Sequence, residues 1–206
     1  MRGGTNEERL YLRSMESLGI QKTQFPDMQG LIARHRARYY LVGFFCRPGM
    51  RVLDFPCGSG YGSDVLDPFD IIYEGMDIDE ITLHYCRANY CGKFVCQNLE
   101  NPSFPENFYD VIANIDGLEH IEKDYQENLL RSFHWALKPG GTLIVSTPAK
   151  AGNTVNPYHK HELTKKEFKG LLDGVFDHVE MITQRDTLHN GTQTNLLFGI
   201  CRKEGG

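Results

Sequence analysis

The sequence lacks the features by which membrane-bound or exported proteins are recognised. No apolar run approaches the ~20 residues of a membrane-spanning helix, the longest lying at 39–45. The stretch from Met1 to Arg9 holds no apolar segment of the kind found in secretory signals. We therefore expect no membrane association and a cytoplasmic location.

Patterned cysteines are also missing. The six cysteines form no Cys-x-x-Cys pair and no Cys/His spacing typical of structural zinc sites. Unpatterned thiols in a chain without an export signal indicate a reducing compartment. The sequence thus gives no indication of a disulfide framework.

Positive charge is scarce, since the 206 residues carry a formal net charge of −5. A broad phosphate-binding surface normally has the opposite sign, so a nucleic-acid partner is not expected. One basic cluster at 34–38 is local and is interpreted as a solvated helix face. A Gly-Lys-Ser/Thr step is absent, which excludes a P-loop.

The pattern of apolar residues predicts an α/β fold. Helical propensity over 6–18 and 29–45 precedes short apolar or β-branched runs that alternate with helical stretches. This alternation predicts a mostly parallel sheet with helices on both faces. A turn at 189–192 predicts an antiparallel C-terminal hairpin. The predicted strands are 51–55, 71–76, 94–96, 109–114, 142–146, 179–183 and 195–201.

A glycine-rich loop follows the first predicted strand and contains Gly58, Gly60 and Gly62. Glycines let a backbone approach a ligand closely, and the following helix presents unpaired N–H groups. Asp77 ends the second strand ~20 residues later, where an acid can accept both hydroxyls of a ribose. Asp77 could instead cap a helix. The glycine spacing differs from the Gly-x-Gly-x-x-Gly of dinucleotide sites, so a different nucleoside cofactor is indicated.

Five segments in this order resemble class I S-adenosylmethionine-dependent methyltransferases: 52–60, 75–78, 109–112, 118–120 and 137–141. The resemblance implies a Rossmann-like seven-stranded sheet, a helical cap over 1–46 and a cofactor-binding domain over 47–206. The sequence departs from the family pattern at Pro56, where glycine or alanine is usual, and at Asn98, where aspartate is commoner. The cofactor residues that it implies, with their neighbours, are Asp54, Cys57, Gly58, Gly60 and Tyr61 around the methionine moiety, Asp77 and Ile78 at the ribose, Asn98 and Leu99 at the adenine, and Asn114 beside the sulfonium.

A possible catalytic group follows the fourth strand. Asp116, Glu119 and His120 have the i, i+3, i+4 spacing of one helix face, and His159 lies in a later polar stretch. The combination of the step at 116–120 with the later polar stretch resembles the pattern of ubiquinone-pathway and small-RNA 2′-O-methyltransferases. This resemblance implies that these four residues hold a Mg²⁺-like ion. Alternatively, Asp116 and Glu119 have the spacing of a capping box and would serve only to begin a helix. The predicted catalytic residues are His120, Glu119 and His159, and the identity of any metal is left open.

The cap would cover the cofactor mouth, as it does in similar enzymes. Tyr39, Tyr40 and Tyr61 are candidate pocket aromatics, with Tyr40 expected mainly to pack in the core. Arg38 is a candidate partner of the methionine carboxylate.

Together these features predict a methyltransferase that acts on a small polar molecule, most simply at a hydroxyl of a sugar or secondary metabolite, as a monomer or homodimer. Two alternatives remain open: a metal-dependent RNA 2′-O-methyltransferase and a non-catalytic regulatory module that binds S-adenosylmethionine.

Overall fold

Seven strands form one sheet in the part of the chain that this computed structural model describes, residues 28–150, 156–187 and 193–205. Their spatial order is β3-β2-β1-β4-β5-β7-β6. The strands are β1 Arg51–Asp54, β2 Ile72–Asp77, β3 Lys93–Cys96, β4 Tyr109–Asn114, β5 Leu137–Pro148, β6 His178–Thr187 and β7 Gln193–Arg202.

The first five strands are parallel, whereas β7 pairs antiparallel with both β5 and β6. Continuous apolar runs such as Val111–Ala113 and Leu143–Val145 are buried, as expected for strands covered on both faces. The mostly parallel sheet with an antiparallel C-terminal hairpin is therefore confirmed. The predicted turn at 189–192 lies outside the described residues.

Helices cover both faces of the sheet and enclose two apolar cores. Tyr39, Leu66 and Leu83 belong to one core, and Phe133 and Phe168 belong to the other. The α-helices of the described residues are α1 Met28–Gly43, α2 Tyr61–Leu66, α3 Glu80–Asn89, α4 Lys123–Ala136 and α5 Lys165–Asp173. Short 3₁₀ turns cover Asp67–Phe69 and Leu118–His120.

Polar residues set where two of these helices begin. The Asp79 side chain accepts a hydrogen bond from the N–H of Ile81 and caps α3. Thr164 and Glu167 form a reciprocal capping box at the start of α5. Both helices thus begin where the sequence supplies an acceptor for otherwise unpaired N–H groups.

Some local predictions are wrong. The expected turn at 138–141 lies inside β5, because Leu137 already pairs with Tyr109 and the irregularity is absorbed by a register shift. Tyr40 is 52% exposed, while Tyr39 fills the core position at 2%. The helix predicted from Asp116 is only the 3₁₀ turn at Leu118–His120.

Helix α1 packs against α2, the helix that follows the glycine-rich loop. His35 Nδ1 lies 3.1 Å from the hydroxyl of Tyr61, and Arg36 pairs with Asp64 at 3.4 Å. The remaining part of the predicted cap, including the helix over 6–18, lies outside the described residues. Among the helices of the described segments, none has the length and apolar character needed to cross a membrane.

Candidate functional site

Parallel strands β1, β2, β4 and β5 bring their carboxyl ends to one edge of the sheet. In open α/β sheets this is the edge at which ligands bind. Asp54, Asp77 and Asn114 are the last residues of β1, β2 and β4. The predicted cofactor residues and the predicted catalytic residues therefore begin from the same edge.

The glycine loop after β1 requires glycine where it turns. Gly58 has φ +51° and Gly60 has φ +80°, both in the left-handed region. A Cβ at Gly60 would lie 2.8 Å from the sulfur of Cys86, whereas a Cβ at Gly58 would meet nothing within 4 Å. The loop is thus packed against the protein at Gly60, whereas the space beside Gly58 is open.

Asp77 holds this loop against the next strand. Its Oδ2 accepts a hydrogen bond from the N–H of Gly58 at 3.1 Å, and its Oδ1 accepts from the N–H of Asp79 at 3.0 Å. A carboxylate that binds a ribose is expected to face solvent, but Asp77 is only 3% exposed because the loop closes over it. Asp77 therefore shapes the loop in addition to any contact with a ligand.

Asp54 is fully buried between two tyrosines. Tyr39 donates to Oδ1 at 3.1 Å, and Tyr73 donates to Oδ2 at 2.5 Å. Burial raises the pKa of Asp54 to about 7, although the hydrogen bonds from Tyr73 and Tyr39 oppose the rise. The Asp54 side chain thus joins α1 to the floor of the loop.

Asn114 offers a buried acceptor. Its Nδ2 donates to the carbonyl of Phe55 at 2.6 Å, and the residue is fully buried. Its Oδ1 has no hydrogen-bond partner within the described segments. Such an orphan is unusual in a folded protein, which makes Asn114 a candidate for contact with a ligand.

The other predicted cofactor residues differ in accessibility. Ile78 is 38% exposed directly after Asp77. Asn98 is exposed and Leu99 is half-buried. Cys57 is buried, its sulfur lies 3.8 Å from the Gly58 carbonyl, and burial raises its pKa well above the usual range. An inert thiol of this kind offers the loop packing but no chemistry.

Arg38 and Ser146 bind the side chain of Asp116 after β4. Asp116 has φ +51°, which breaks the helix that the spacing predicted. Ser146 donates to its Oδ1 at 2.8 Å, and the Arg38 guanidinium forms an ion pair with its Oδ2. Arg38, proposed for a methionine carboxylate, thus connects α1 to the turn that carries the candidate catalytic residues.

Glu119 is buried directly behind this turn, at 1% exposure. Thr147 donates to its Oε2 at 2.9 Å. Burial, followed by the negative charge of Asp116, raises the pKa of the Glu119 carboxyl well above its usual range. Its backbone carbonyl accepts from the N–H groups of Lys160 at 2.8 Å and His161 at 3.2 Å, which joins the turn to the later polar stretch.

His120 and His159 meet edge to face, with ring centroids 5.2 Å apart. Nδ1 of His120 lies 3.2 Å from the carbonyl oxygen of Tyr158. Nδ1 of His159 lies 2.7 Å from Oε1 of Glu162. A carbonyl and a carboxylate only accept, so Nδ1 of each ring is the donor in its hydrogen bond.

One ligand-type atom each from Glu119, His120 and His159 lies within 4.8 Å of the others. Asp116, implied as a fourth ligand, is bound by Arg38 and Ser146. Two of the three convergent donors are imidazole nitrogens, whereas Mg²⁺ prefers oxygen. The oxygen-rich Mg²⁺ site that the resemblance implied does not fit these residues.

Sequence reasoning did not identify Glu162, Thr147 or Ser146 as members of the site. The sequence did contain a signal for Glu162, because it lies three residues after His159, close enough along the chain for their side chains to meet. Thr147 and Ser146 end a buried strand and carry no local signal. Only the pairing of β4 with β5 brings them beside Glu119 and Asp116.

Residues 25–191 match the family described as a methyltransferase domain. The chain belongs to this methyltransferase family. A probable S-adenosylmethionine-dependent methyltransferase of Mycolicibacterium smegmatis is 30% identical over 176 residues, which are 77% of this chain and 67% of that protein. A ubiquinone/menaquinone biosynthesis C-methyltransferase of Ectopseudomonas mendocina is 34% identical over 119 residues, covering 52% of this chain and 45% of that one.

The methyltransferase fold is equally clear among solved structures. An S-adenosylmethionine-dependent methyltransferase of Methanosarcina mazei superposes with a TM-score of 0.68 at 16% identity, covering 81% of this chain and 98% of that one. Several curated relatives are longer, and the chain spans 52% of a similar protein of Mycobacterium tuberculosis. The predicted family, enzyme class and S-adenosylmethionine cofactor are confirmed for this methyltransferase domain.

Proposed function

We propose that this domain transfers a methyl group from S-adenosylmethionine to a hydroxyl of a small polar molecule, such as a sugar or secondary metabolite. The observation that carries the proposal is the cluster of Glu119, His120 and His159 at the sheet edge that also bears the glycine loop. A neutral amine attacks without help. A hydroxyl attacks efficiently only when its proton is removed or its oxygen is bound by a cation. The cluster supplies groups for that task.

The residues at the glycine loop fit the cofactor. The space above Gly58 and the unsatisfied Oδ1 of buried Asn114 support a ligand at this edge, and exposed Ile78 adds an apolar surface beside Asp77. When bound, S-adenosylmethionine supplies a methyl group on a sulfonium. We assign Asp77 and Ile78 to its ribose, Asn98 and Leu99 to its adenine, and the remaining loop residues with Asn114 to its methionine end.

We also propose that residues 1–46 form a cap on the cofactor site. Its support is the set of polar contacts that α1 makes with three different parts of the edge. His35 meets Tyr61, Arg38 meets Asp116, and Tyr39 meets Asp54. A helix with these contacts excludes water from the loop and fixes the turn after β4.

The relatives leave the acceptor atom open. Those named act on nitrogen, as phosphoethanolamine N-methyltransferase 3 of Arabidopsis thaliana does, or on carbon, as the quinone-pathway enzymes do. We favour oxygen because two imidazoles and a carboxylate converge at this edge, and a neutral amine would need none of them. A small acceptor, cytoplasmic location and a monomeric or homodimeric state complete the proposal. The net charge of −5 argues against a nucleic-acid acceptor.

The test is transfer of a labelled methyl group to a panel of sugars, nucleotide sugars, phenols, amines and short RNAs, with the full chain. We expect transfer to a hydroxyl compound, with little dependence on salt. Transfer only to amines would refute the oxygen assignment, and transfer only to RNA would support the 2′-O-methyltransferase alternative. Cofactor binding without transfer to any acceptor would support the regulatory-module alternative.

A matched pair of variants then connects the activity to the cluster. We expect His120→Ala to lower kcat by about 10²–10⁴-fold, the usual contribution of a group that handles a proton, while the affinity for S-adenosylhomocysteine stays unchanged. His134→Ala is the control, because His134 lies on α4 against Phe176 and away from the cluster. Equal kcat values in both variants would exclude His120 from the reaction.

A further inference from the structure

Helix α1 carries a row of apolar residues that is open to solvent. Its members follow one another at intervals of four, three and four positions and are all exposed: Ala33, Ala37, Tyr40 and Phe44. At 3.6 residues per turn, these positions lie within about 60° of one another around the helix. Phe44 directly follows α1, and its N–H still donates to the Tyr40 carbonyl at 3.2 Å, so it continues the same row. We call these four residues the α1 stripe.

The stripe lies on the side of α1 that faces away from the sheet. Arg38, Tyr39 and Val42 are buried on the other side, where Tyr39 donates to Asp54. The two aromatic members of the stripe, by contrast, are 52% and 85% exposed. Aromatic side chains are enriched in protein–protein interfaces, so this row has the composition of an interaction surface.

We propose that the α1 stripe is the interface of a homodimer, in which α1 packs antiparallel against α1 of a second copy. Intervals of four, three and four residues are those of the core positions of a coiled coil. In an antiparallel pair, Phe44 faces the partner's Ala33, and Tyr40 faces the partner's Ala37. Both pairs are centred on the same point, between residues 38 and 39, as two-fold symmetry requires.

The sizes of the side chains favour this arrangement. In the antiparallel pair, every layer of the interface holds one alanine and one aromatic ring, so the small residue makes room for the large one. In a parallel two-fold pair, each residue would face its own copy. Rings would then crowd two layers and alanines would leave gaps in the other two, whereas well-packed interfaces avoid both. The stripe is therefore complementary to itself in one orientation.

The charges beside the stripe allow the same pairing. In this register, Arg34 lies opposite the partner's Gly43, and Arg36 lies opposite the partner's Leu41. Arg36 is also paired with Asp64 of its own chain at 3.4 Å. No arginine of one helix therefore faces an arginine of the other, and the repulsion that would oppose association is avoided.

The experiment measures the mass of the full chain by sedimentation over a wide range of protein concentration, without cofactor or acceptor. The stripe is only about 16 Å long, whereas a stable interface buries about 800 Å² on each partner, so we expect a reversible equilibrium between monomer and dimer. Phe44→Lys places a charge against the partner's Ala33, and we expect the dissociation constant to rise more than ~10-fold. Ile182→Lys is the matched control, because it adds the same charge at an exposed apolar position on β6 and should leave the dissociation constant unchanged.

Cross-linking tests the orientation. Ala33→Cys and Phe44→Cys are made separately in a chain whose exposed thiols, Cys91 and Cys96, are replaced by serine. When the two variants are mixed and treated with oxidised glutathione, we expect a disulfide-linked dimer. Either variant alone should form none, because copies of one position lie about 16 Å apart along the antiparallel helices, beyond the reach of a disulfide.

Circular dichroism checks that each variant is folded, and Tyr40→Lys replaces Phe44→Lys if that variant is not. A chain that stays monomeric at every concentration would overturn the proposal. In such a monomer, a lower free energy of unfolding in Phe44→Lys would show that another segment of the same chain covers the stripe.

A dimer that Phe44→Lys leaves intact, or that Ile182→Lys weakens equally, would also overturn the proposal. Cross-links formed by one variant alone would exclude the antiparallel pair. Because no methyl transfer is measured, failure of this interface leaves the proposed transfer reaction standing. Absence of transfer likewise leaves the dimer untouched.

Discussion

Asp77 has a structural role beside the cofactor role that we propose for it. It accepts hydrogen bonds from the N–H groups of Gly58 and Asp79 while almost completely buried. Leaving a buried donor without a partner costs about 1–3 kcal/mol. The carboxylate that we assign to the ribose is therefore also the group that holds the glycine loop in place.

We expect Asp77→Ala to weaken binding of S-adenosylhomocysteine by at least ~100-fold and to lower the free energy of unfolding by about 1–3 kcal/mol. Calorimetry and urea unfolding measure the two effects. The control is Asp124→Ala, which removes an exposed carboxylate from the first turn of α4. Unchanged affinity in Asp77→Ala would remove Asp77 from the cofactor site.

Asp54 makes stability depend on pH. Its pKa is raised to about 7 in the folded protein, whereas an unfolded aspartate titrates near ~3.9. The folded state binds the proton more tightly, so this contribution to stability is full below the unfolded pKa and is lost as pH rises through about 7. We expect the free energy of unfolding to fall more between about pH 5.5 and 8 in the unaltered protein than in Asp54→Asn. Parallel pH profiles in urea unfolding would contradict this.

At the level of elements, the strands and most helices could be predicted from the sequence, because buried parallel strands are continuous apolar runs and α3 and α5 begin at polar caps. The turn after β4 could not. Spacing alone predicts that Asp116, Glu119 and His120 share a helix face. Arg38 and Ser146 instead bind Asp116 in a left-handed conformation, and both reach it only through tertiary packing.

The candidate site could also be predicted only in part, because its supporting contacts depend on tertiary packing. Motif spacing identified Glu119, His120 and His159 as candidates, and the structure brings them together. Their supporting partners were not identified, since Thr147 becomes a neighbour of Glu119 only when β4 and β5 pair. Sequence patterns report local periodicity, whereas these contacts depend on sheet register.

The ion pair between α1 and this turn leads to a prediction for a double-mutant cycle. The side chains of Arg38 and Asp116 are 5% and 25% exposed. Their ion pair is therefore partly buried, and its contribution to stability should lie between those of exposed and fully buried pairs. We expect Arg38→Met to lower the free energy of unfolding by about 1–3 kcal/mol, because Asp116 is left unpaired near Glu119. Arg38→Met with Asp116→Asn should recover part of that loss. Additive effects in urea unfolding would show that the two side chains are not coupled.

Across the whole molecule, α1 is a structural part of the sheet edge that carries the glycine loop, although the glycine motif begins only after β1. The contact lies at Gly62, in the first turn of α2. A Cβ there would come within 2.3 Å of the Tyr39 ring and 2.6 Å of Oδ2 of Asp54. Any side chain at this position therefore pushes α1 away from the loop.

Gly62→Ala tests this dependence of the loop on its cap. Overpacking a buried site typically costs about 1–3 kcal/mol, so we expect the free energy of unfolding to fall by that amount and the affinity for S-adenosylhomocysteine to fall with it. Gly170→Ala is the matched control, because a Cβ there meets nothing within 4 Å and alanine favours the helix by about 0.5–1 kcal/mol. A Gly62→Ala protein that loses stability but binds the ligand with full affinity would show that α1 stabilises the domain without contributing to its cofactor site.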